Sequence, residues 1–534
     1  MTKSGVGEDM PASEDSKLQR PSGRAGGRAA RRELRAAPLA DDIRPIRGGM
    51  TGGRFAPLTP AEVLKIHGAA LQLLEEVGFG QAIPTCIEAC TRAGAVYGAD
   101  KRLRFPRALV EDTVAKAARR FTLFGQDPRH DLEPSSKRVY FGTAGAAVHV
   151  VDLEKRHYRL SLLQDLYDAG RMVDALDNIH FFQRCLVPRD VEDPRDMDVN
   201  TAYASVMSTT KHVGTSMVAP EHVTEVFDIL HLIAGGEDKW RARPFVSQSN
   251  CFVVPPMKFA EDACRALEVA VAGGMPVLLL SAGQAGATAP AAIAGAVVQA
   301  TAEVLAGLVY VNALKPGHPC IFGTWPFVSD LRSGAMSGGS GEQALLTAAC
   351  AQMGHFYDLP GGSAAGMADS KEPDIQAGWE KGITTVMAGL AGLNLVYESA
   401  GMHASLLGFS HESLIIDNDI LGQALRCVRG IEVTDETLSV ETIREVCLNG
   451  PGHYLGHPQT LSLMQRDYVY PVIGNRLSPK EWAEVGKPDI VKVAAARKND
   501  LLATYFPRHV SDAADGKIRE RHKIMLPRAG MGRH

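Results

Sequence analysis

The sequence predicts an α/β protein built on a (β/α)8 TIM barrel, with helical additions at both ends. Eight short β-rich runs alternate with amphipathic helical stretches through the middle of the chain, which is the order of parallel βαβ units. An open doubly wound sheet is the main competing fold. Its dinucleotide-binding turn, Gly-x-Gly-x-x-Gly, does not follow the first of these runs, so the barrel is favoured.

The composition is ordinary for an enzyme with a large core, since 45% of the 534 residues are hydrophobic and 22% are charged. A net charge of −4 gives no reason to expect a nucleic acid or an anionic membrane as a partner. The nine cysteines contain one near pair, Cys86 and Cys90, which argues against a disulfide framework. We therefore expect a cytoplasmic protein, and we identify neither a signal peptide nor a membrane span.

The chain opens with a segment that is expected to lack a core. Residues 1–53 are rich in Gly, Ala, Arg, Ser and Pro and hold few large apolar side chains, so a disordered basic tail is predicted. Residues 54–137 are predicted to form a helical segment. Its helices are expected to begin at Thr59-Pro60 and to cover Pro84 to Ala93 and Pro106 to Ala118.

Residues 138–408 carry the alternation and are predicted to form the barrel. The strand candidates are Val139–Phe141 with His149–Val151, Ile179–Val187, His212–Val218, Phe245–Phe252, Val277–Leu280, Cys320–Phe322, Phe356–Leu359 and Leu393–Tyr397. The helix candidates are Leu162–Leu176, Val199–Thr209, Pro220–Ile233, Lys258–Ala272, Ala292–Val309, Glu342–Met353 and Gln376–Leu390. After Gly408 the alternation is predicted to stop, with a helical region over 409–517 and a poorly ordered basic tail over 518–534.

The stretch from Gly361 to Lys381 is the strongest candidate for a functional loop. Gly361 and Gly362 are expected to follow a strand that ends near Leu359, and their small size would let a ligand approach the backbone. Polar residues then gather at the start of a helix. A strand end, a small-residue loop and a polar helix start form the kind of βα-loop that carries barrel active sites, although an ordinary solvated connection has the same ingredients.

If the barrel prediction holds, the loops after all eight strands converge on one mouth, and their contents can be pooled. The pool is rich in amides, carboxylates and aromatic rings and poor in histidine, so no metal site is predicted. Rings together with carboxylates suit a quaternary ammonium ligand, through cation–π contact and a negative field. The same rings could instead fill the top of the barrel as core. The rings in question are Trp325, Phe327, Trp379 and Tyr397.

Four stretches of the chain resemble the trimethylamine methyltransferase family, from about Gly48 onward. They are Arg44-Pro45-Ile46-Arg47-Gly48-Gly49-Met50, the segment Leu71–Gly80, the pair Lys211-His212, and the motif Asp369-Ser370-Lys371-x-x-Asp374-x-Gln376-Ala377-Gly378-x-Glu380. The last motif is the most specific. The founding members of the family are (β/α)8 barrels that pass a methyl group from trimethylamine to a cobalt corrinoid, which a separate small protein holds.

Those founding members use pyrrolysine in the barrel mouth, and this chain departs from that pattern. It reads as standard residues throughout the Gly361 loop, where the pyrrolysine position is expected. In this respect it is similar to glycine betaine methyltransferases, which lack pyrrolysine. The chemistry explains the difference, because a quaternary ammonium already leaves as a neutral tertiary amine, whereas trimethylamine must first be activated.

The resemblance therefore implies a methyltransferase that moves a methyl group from a quaternary amine, such as glycine betaine, to the Co(I) corrinoid of a partner protein. The chain itself is expected to bind no cofactor, and self-association is left open. Glu398 and Asp369 are the candidate catalytic residues. The candidate substrate-binding residues are Trp325, Phe327 and Tyr397 for the ammonium, Gln248, Asn250, Lys371 and His403 for a carboxylate, and Gly361 and Gly362 for close backbone approach. A lyase-type barrel enzyme and a non-catalytic betaine-binding or sensor protein are the alternative interpretations.

Overall fold

The computed structural model describes residues 44–533, and for Asn250 it describes the backbone alone. Of the predicted disordered tail of residues 1–53, residues 1–43 lie outside the described residues. The prediction is wrong for its end, because Met50–Thr51 pairs in an antiparallel fashion with Arg138 and Val139. Eight strands form the centre of the described chain: β1 (Arg138–Phe141), β2 (Phe182–Gln183), β3 (Val213–Thr215), β4 (Val246–Asn250), β5 (Val277–Ser281), β6 (Cys320–Thr324), β7 (Gly361–Ala364) and β8 (Leu395–Tyr397).

These eight strands form a closed parallel barrel, which confirms the predicted fold class. Each strand pairs in parallel with the next, and β8 pairs with β1 through Leu395–Tyr140 and Val396–Phe141. A parallel bridge between Gly142 and Phe181 joins β1 to β2 and completes the ring. In such a barrel the carboxyl ends of all the strands open onto one face, where catalytic sites are found.

A helix follows each strand. These helices are α1 (Leu163–Ala175), α2 (Pro194–Ser208), α3 (Pro220–Ala234), α4 (Glu261–Ala272), α5 (Ile293–Leu314), α6 (Gly341–Phe356), α7 (Ile375–Ala391) and α8 (His411–Arg429). Proline in the first turn of α2 and α3 and side-chain caps at Ser340, Asp374 and Ser410 fix where these helices begin. Because α8 packs on α7, the alternation continues one helix beyond the predicted end at residue 408.

Helix α5 is long and apolar enough to cross a membrane, the one such helix within residues 44–533. It is also the barrel's fifth helix, and 78% of its apolar window is buried inside the molecule. The N-terminal helices cover it, which explains why it is apolar all round. Those helices are Pro60–Gln72, continued by a π-helical turn at Leu73–Val77, then Pro84–Arg92 and Arg107–Lys116.

One predicted strand is wrong, and another lies outside the barrel. Phe356–Leu359 is not a strand, because α6 runs to Phe356 and Asp358 has a φ of +52°, a turn conformation. The strand is Gly361–Ala364, whose small residues have low β-propensity and conceal it from a reading of the sequence. His149–Val151 does lie in a strand, but outside the barrel. It belongs to a four-stranded sheet of His149–Asp152, His157–Leu160, Met402–His403 and Gly408–Phe409.

Glycines on the inner face explain how the barrel accommodates large inward side chains. A Cβ atom on Gly362 would lie 2.8 Å from Cε2 of Tyr397, on the neighbouring strand. A Cβ atom on Gly142 would lie 2.2 Å from Cε2 of Phe181, again on the next strand. Interiors are close-packed, so a large ring on one strand requires a missing side chain on its neighbour.

Further short elements surround the barrel. The described chain has two-residue or three-residue strands at Met50–Thr51, Val96–Tyr97, Leu103–Arg104, Val253–Val254, Lys258–Phe259, Gln284–Ala285, Phe327–Ser329 and Met336–Ser337, and short helices at Pro128–His130, Glu237–Ala242, Ala404–Leu406 and Ala529–Met531. The helices after α8 are Asp435–Leu438, Val440–Leu448, Pro458–Arg466, Pro479–Glu484, Ile490–Thr504 and Asp512–Arg521.

The predicted C-terminal tail of residues 518–534 instead packs against the barrel as far as the structure describes it. Helix Asp512–Arg521 crosses the predicted boundary and packs on α3, and Leu526 and Met531 are buried. The basic residues that suggested a tail are paired, since Arg519 and Arg528 both donate to the buried carboxylate of Asp515. Because these basic side chains are paired with carboxylates within the fold, their charge does not favour a disordered tail.

Candidate active site

Three aromatic rings meet inside the carboxyl end of the barrel. The ring centroid of Tyr397 lies 5.0 Å from that of Trp325 and 4.9 Å from that of Phe181. These residues come from strands that are not neighbours, so their contacts cross the barrel interior. All three rings are buried, and the indole Nε1 of Trp325 has no hydrogen-bond partner among the described residues. The sequence analysis predicted Trp325 and Tyr397 at this position but missed Phe181.

Glu398 follows Tyr397 at the very end of β8 and has three unusual properties. Its φ is +62°, a left-handed conformation that costs a non-glycine residue roughly 1–3 kcal/mol. Its side chain is 2% exposed, and Oε2 accepts no hydrogen bond from any residue that the structure describes. Burial raises the pKa of this carboxyl to about 8. Strain, burial and a perturbed pKa at a barrel mouth together mark a functional group.

Cys251 lies beside this carboxyl and was not predicted. Ser247 of β4 faces the interior, where its Oγ lies 3.0 Å from Nε2 of His212, and the two-residue period of the strand puts Cys251 on the same side. The residue as a whole is exposed. Burial of its thiol raises the pKa to about 12, and the Glu303 and Glu398 carboxylates add smaller contributions. The two-residue alternation of β4, followed from Ser247 along the sequence, could have predicted that Cys251 lies on the inner side.

The same alternation separates Gln248 from the barrel interior. Its Nε2 donates to the carbonyl oxygen of Met217 at 3.1 Å, and the residue is fully buried. The backbone of Asn250 continues β4, where it pairs with Leu279. Phe327 is buried in the short strand after β6 and pairs with Gln284. A substrate-binding role for these three residues stays a prediction.

Asp369, the second predicted catalytic residue, has a carboxylate that is fully engaged. It accepts hydrogen bonds from Ser337 Oγ at 2.7 Å, from the Gly338 N–H at 2.7 Å and from Ser405 Oγ at 2.5 Å. Residues 404–406 have φ values of +48°, +56° and +103°, so Asp369 fastens a strained segment. A catalytic role for Asp369 stays a prediction, and its visible role is to join three loops at the mouth.

The rest of the motif supports this loop from within. One carboxylate oxygen of Glu380 accepts from the backbone N–H groups of Asp369 at 2.8 Å and Ser370 at 3.2 Å. The other accepts from Gln376 Nε2 at 2.7 Å. Asp374 caps α7 through the Ala377 N–H at 2.9 Å. The charged residues that dominate the sequence motif therefore hold its shape.

Lys371 and His403, two predicted ligands for a substrate carboxylate, make hydrogen bonds within the protein, and their binding role stays a prediction. Lys371 is exposed and donates to the carbonyl oxygen of Asp369 at 2.7 Å. His403 is fully buried, with Nε2 2.6 Å from Ser413 Oγ, and burial together with the nearby Lys381 holds its pKa well below the ordinary value. Gly361 and Gly362 belong to β7 itself rather than to a loop, and the half-exposed Trp379 lies on the outside of α7.

Comparisons with known proteins bear on the family and the fold of the chain. A family model described as trimethylamine methyltransferase (MTTB) matches residues 24–523. The chain belongs to the trimethylamine methyltransferase family. The chain is 30% identical over 469 residues to glycine betaine methyltransferase of Desulfitobacterium hafniense (strain Y51), covering 87% of this chain and 96% of that protein. It is 31% identical over 462 residues to trimethylamine methyltransferase MttB of Methanosarcina thermophila, covering 85% and 94%.

Membership of the trimethylamine methyltransferase family makes this chain a methyltransferase. Its fold is similar to the crystal structure of Methanosarcina barkeri monomethylamine methyltransferase (MtmB), with a TM-score of 0.51 and 12% identity over 88% of this chain and 91% of that one. This likeness concerns the fold alone. Within residues 44–533, no cluster of three or more His, Cys, Asp or Glu residues is arranged to hold a metal ion.

Proposed function

We propose that this methyltransferase takes a methyl group from a quaternary amine, glycine betaine or a similar betaine, and transfers it to the Co(I) corrinoid of a partner protein. The observation that carries the proposal is the uncommitted Glu398 carboxyl, which follows Tyr397 and its ring contact with Trp325. A buried acidic group and ring faces at one barrel mouth would together favour a permanent cation. The similarity to a protein named glycine betaine methyltransferase supports the same substrate class.

The acidity of Glu398 suits the recognition of a cation. With a pKa near 8, the carboxyl is mainly protonated at neutral pH and introduces no uncompensated charge into the interior. A quaternary ammonium at the rings would favour the carboxylate and release its proton. Each buried ring in such a cage contributes about 0.5–2 kcal/mol to binding.

The transfer itself needs little from the protein beyond position and exclusion of water. The electron pair of Co(I) forms the new bond to the methyl carbon, the C–N bond breaks, and its electron pair leaves with a neutral tertiary amine. The cobalt is formally oxidised by two electrons, and no proton is transferred. The rings of Trp325, Tyr397 and Phe181 would hold the ammonium so that one methyl group points out of the mouth, in line with the approaching cobalt.

The corrinoid is a substrate that arrives on a separate protein, and the chain binds no cofactor of its own. The nine unpaired thiols support a reducing compartment, the cytoplasm.

The test is a methyl-transfer assay with purified protein, free cob(I)alamin as acceptor and a panel of amines. The Co(I) absorbance should fall with glycine betaine or another betaine and not with trimethylamine. Glu398→Gln should lose most of this activity, whereas Glu342→Gln, an exposed carboxylate on α6, should keep it. Betaine binding without any loss of Co(I) would instead support the non-catalytic sensor.

A further inference from the structure

A glutamine side chain of β2, Gln183, points into the barrel between the ring cluster and the mouth. On the same strand, Phe181 faces the interior, where its ring contacts that of Tyr397. Phe182 faces α1 instead, since a Cβ atom on Gly170 would lie 3.4 Å from its Cε1. The two-residue period of the strand therefore turns Gln183 inward, one step nearer the mouth than Phe181.

The amide of Gln183 is buried and uncommitted. Gly214, its partner on β3, makes room for it, because a Cβ atom at residue 214 would lie 1.6 Å from Gln183 Oε1. The glutamine is 5% exposed, yet its amide makes no hydrogen bond with any residue that the structure describes. Buried polar groups are normally hydrogen-bonded, and an unpartnered one is destabilising, so a ligand group is the expected partner.

We propose that Gln183 binds the carboxylate of the substrate and thereby selects a betaine over a simple quaternary cation. This inference rests on the proposed function and names the group that recognises the anionic end of the substrate. The amide nitrogen Nε2 donates to a carboxylate oxygen while the ammonium lies against the rings. The indole Nε1 of Trp325, buried without a partner among the described residues, is a second uncommitted donor in the same interior.

A neutral donor suits a zwitterion better than a cationic one. It hydrogen-bonds the carboxylate without repelling the ammonium group of the same small molecule. Arg184 comes next in the chain, but the alternation of β2 turns it to the outer side of the strand. There burial lowers the pKa of its guanidinium, and the carboxylate of Asp198, on α2, opposes this effect. The inward Gln183 is therefore the better placed of the two for a substrate inside the barrel.

Calorimetric titration of the full-length protein with glycine betaine and with choline, which has a hydroxyl group in place of the carboxylate, tests the proposal. The wild type should bind glycine betaine more tightly than choline. Gln183→Leu should weaken glycine betaine by about 10- to 150-fold and leave choline nearly unchanged. Gln183→Glu, which has the same shape, should also weaken glycine betaine but bind choline more tightly through its added charge. Gln72→Leu, at an exposed position of the helix Pro60–Gln72, is the control and should bind both ligands like the wild type.

Choline binding and the melting temperature show that a variant is folded, and Gln183→Glu decides the matter if Gln183→Leu does not fold. Wild-type affinity for glycine betaine in the variants, or an equal loss of both ligands, would overturn the role of Gln183. Either result would leave a quaternary amine as the substrate class. A wild type that binds neither ligand would overturn this inference together with the proposed function.

Discussion

At the scale of single residues, the candidate site stands out because it contains buried polar atoms without hydrogen-bond partners in the described part of the chain. Glu398 Oε2 and Trp325 Nε1 are buried without partners among the described residues, whereas Asp369 and His403 are committed to internal hydrogen bonds. Position at or after a strand end predicted from the sequence that Glu398, Trp325 and Tyr397 lie at the mouth of the barrel, and their roles in the reaction stay predictions. The prediction pooled residues at strand ends without separating inward from outward side chains by the two-residue period, so it included Gln248 and missed Phe181 and Cys251. A substrate-binding role for Gln248 stays a prediction.

The first residue-scale prediction concerns pH. Because the carboxyl of Glu398 has a pKa of about 8, the fraction of carboxylate able to bind a cation falls as the pH drops below that value. Betaine affinity should therefore weaken by up to about tenfold per pH unit below pH 8 and level off above it. Calorimetric titration between pH 6 and 9.5 measures this. In Glu398→Gln the affinity should be low and independent of pH, and a sloping profile in that variant would remove Glu398 from the site.

The second residue-scale prediction separates the ring face from the hydroxyl. Trp325→Ala removes a buried ring, which should cost about 0.5–2 kcal/mol and weaken betaine binding by up to about 30-fold. Tyr397→Phe keeps its ring and should be the milder change. KM values and melting temperatures of both variants report on this. Equal losses in the two variants would show that the Tyr397 hydroxyl, rather than the ring, contacts the substrate.

At the scale of elements, β7 shows the limit of reading strands from propensity. The apolar run Phe356–Leu359 looked like the strand, but the interior at this point has to accommodate the Tyr397 ring. Small residues meet that need, so the strand is Gly361–Ala364. The prediction failed because the need for small residues comes from the Tyr397 ring on the neighbouring strand. That need leaves no pattern in the sequence of β7 itself.

A pair of glycine substitutions tests this packing argument. In Gly362→Ala the new Cβ would lie 2.8 Å from the Tyr397 ring, and overpacking of this kind costs about 1–3 kcal/mol. Gly378→Ala is the control, because its Cβ would face open space on α7 and alanine favours helices by roughly 0.5–1 kcal/mol. Urea unfolding should show a loss in the first variant and a small gain in the second. A gain in both would mean that Tyr397 does not fill this space.

Asp369 also acts at the scale of elements, because its carboxylate joins neighbouring loops. Its hydrogen bonds to Ser337, Gly338 and Ser405 hold the strained residues 404–406 in place. Asp369→Ala should release that segment and speed hydrogen exchange over residues 402–407 by an amount equivalent to about 1–3 kcal/mol. Glu342→Gln, which changes an exposed carboxylate on α6, should leave this region unchanged. Unaltered exchange in Asp369→Ala would return Asp369 to the catalytic candidates.

At the scale of the whole molecule, the alternation of strands and helices predicted the barrel because it is a property of the entire chain. The helix His411–Arg429 lies in the region predicted to be helical, but its place in the barrel and the packing of the C-terminus were missed, since helical periodicity does not reveal which surface a helix packs against. Family resemblance supplied the class of reaction. The substrate depends on where a few side chains point inside the barrel, and that information appears only in the folded molecule.

The central claim is that the methyl group comes from a quaternary amine. A single-turnover reaction of the protein with N-methyl-deuterated glycine betaine and cob(I)alamin, followed by mass spectrometry of the amine product, tests it directly. The account predicts dimethylglycine that retains six deuterium atoms, in an amount equal to the Co(I) consumed. Absence of that product, or equally fast methyl transfer from trimethylamine, would contradict it.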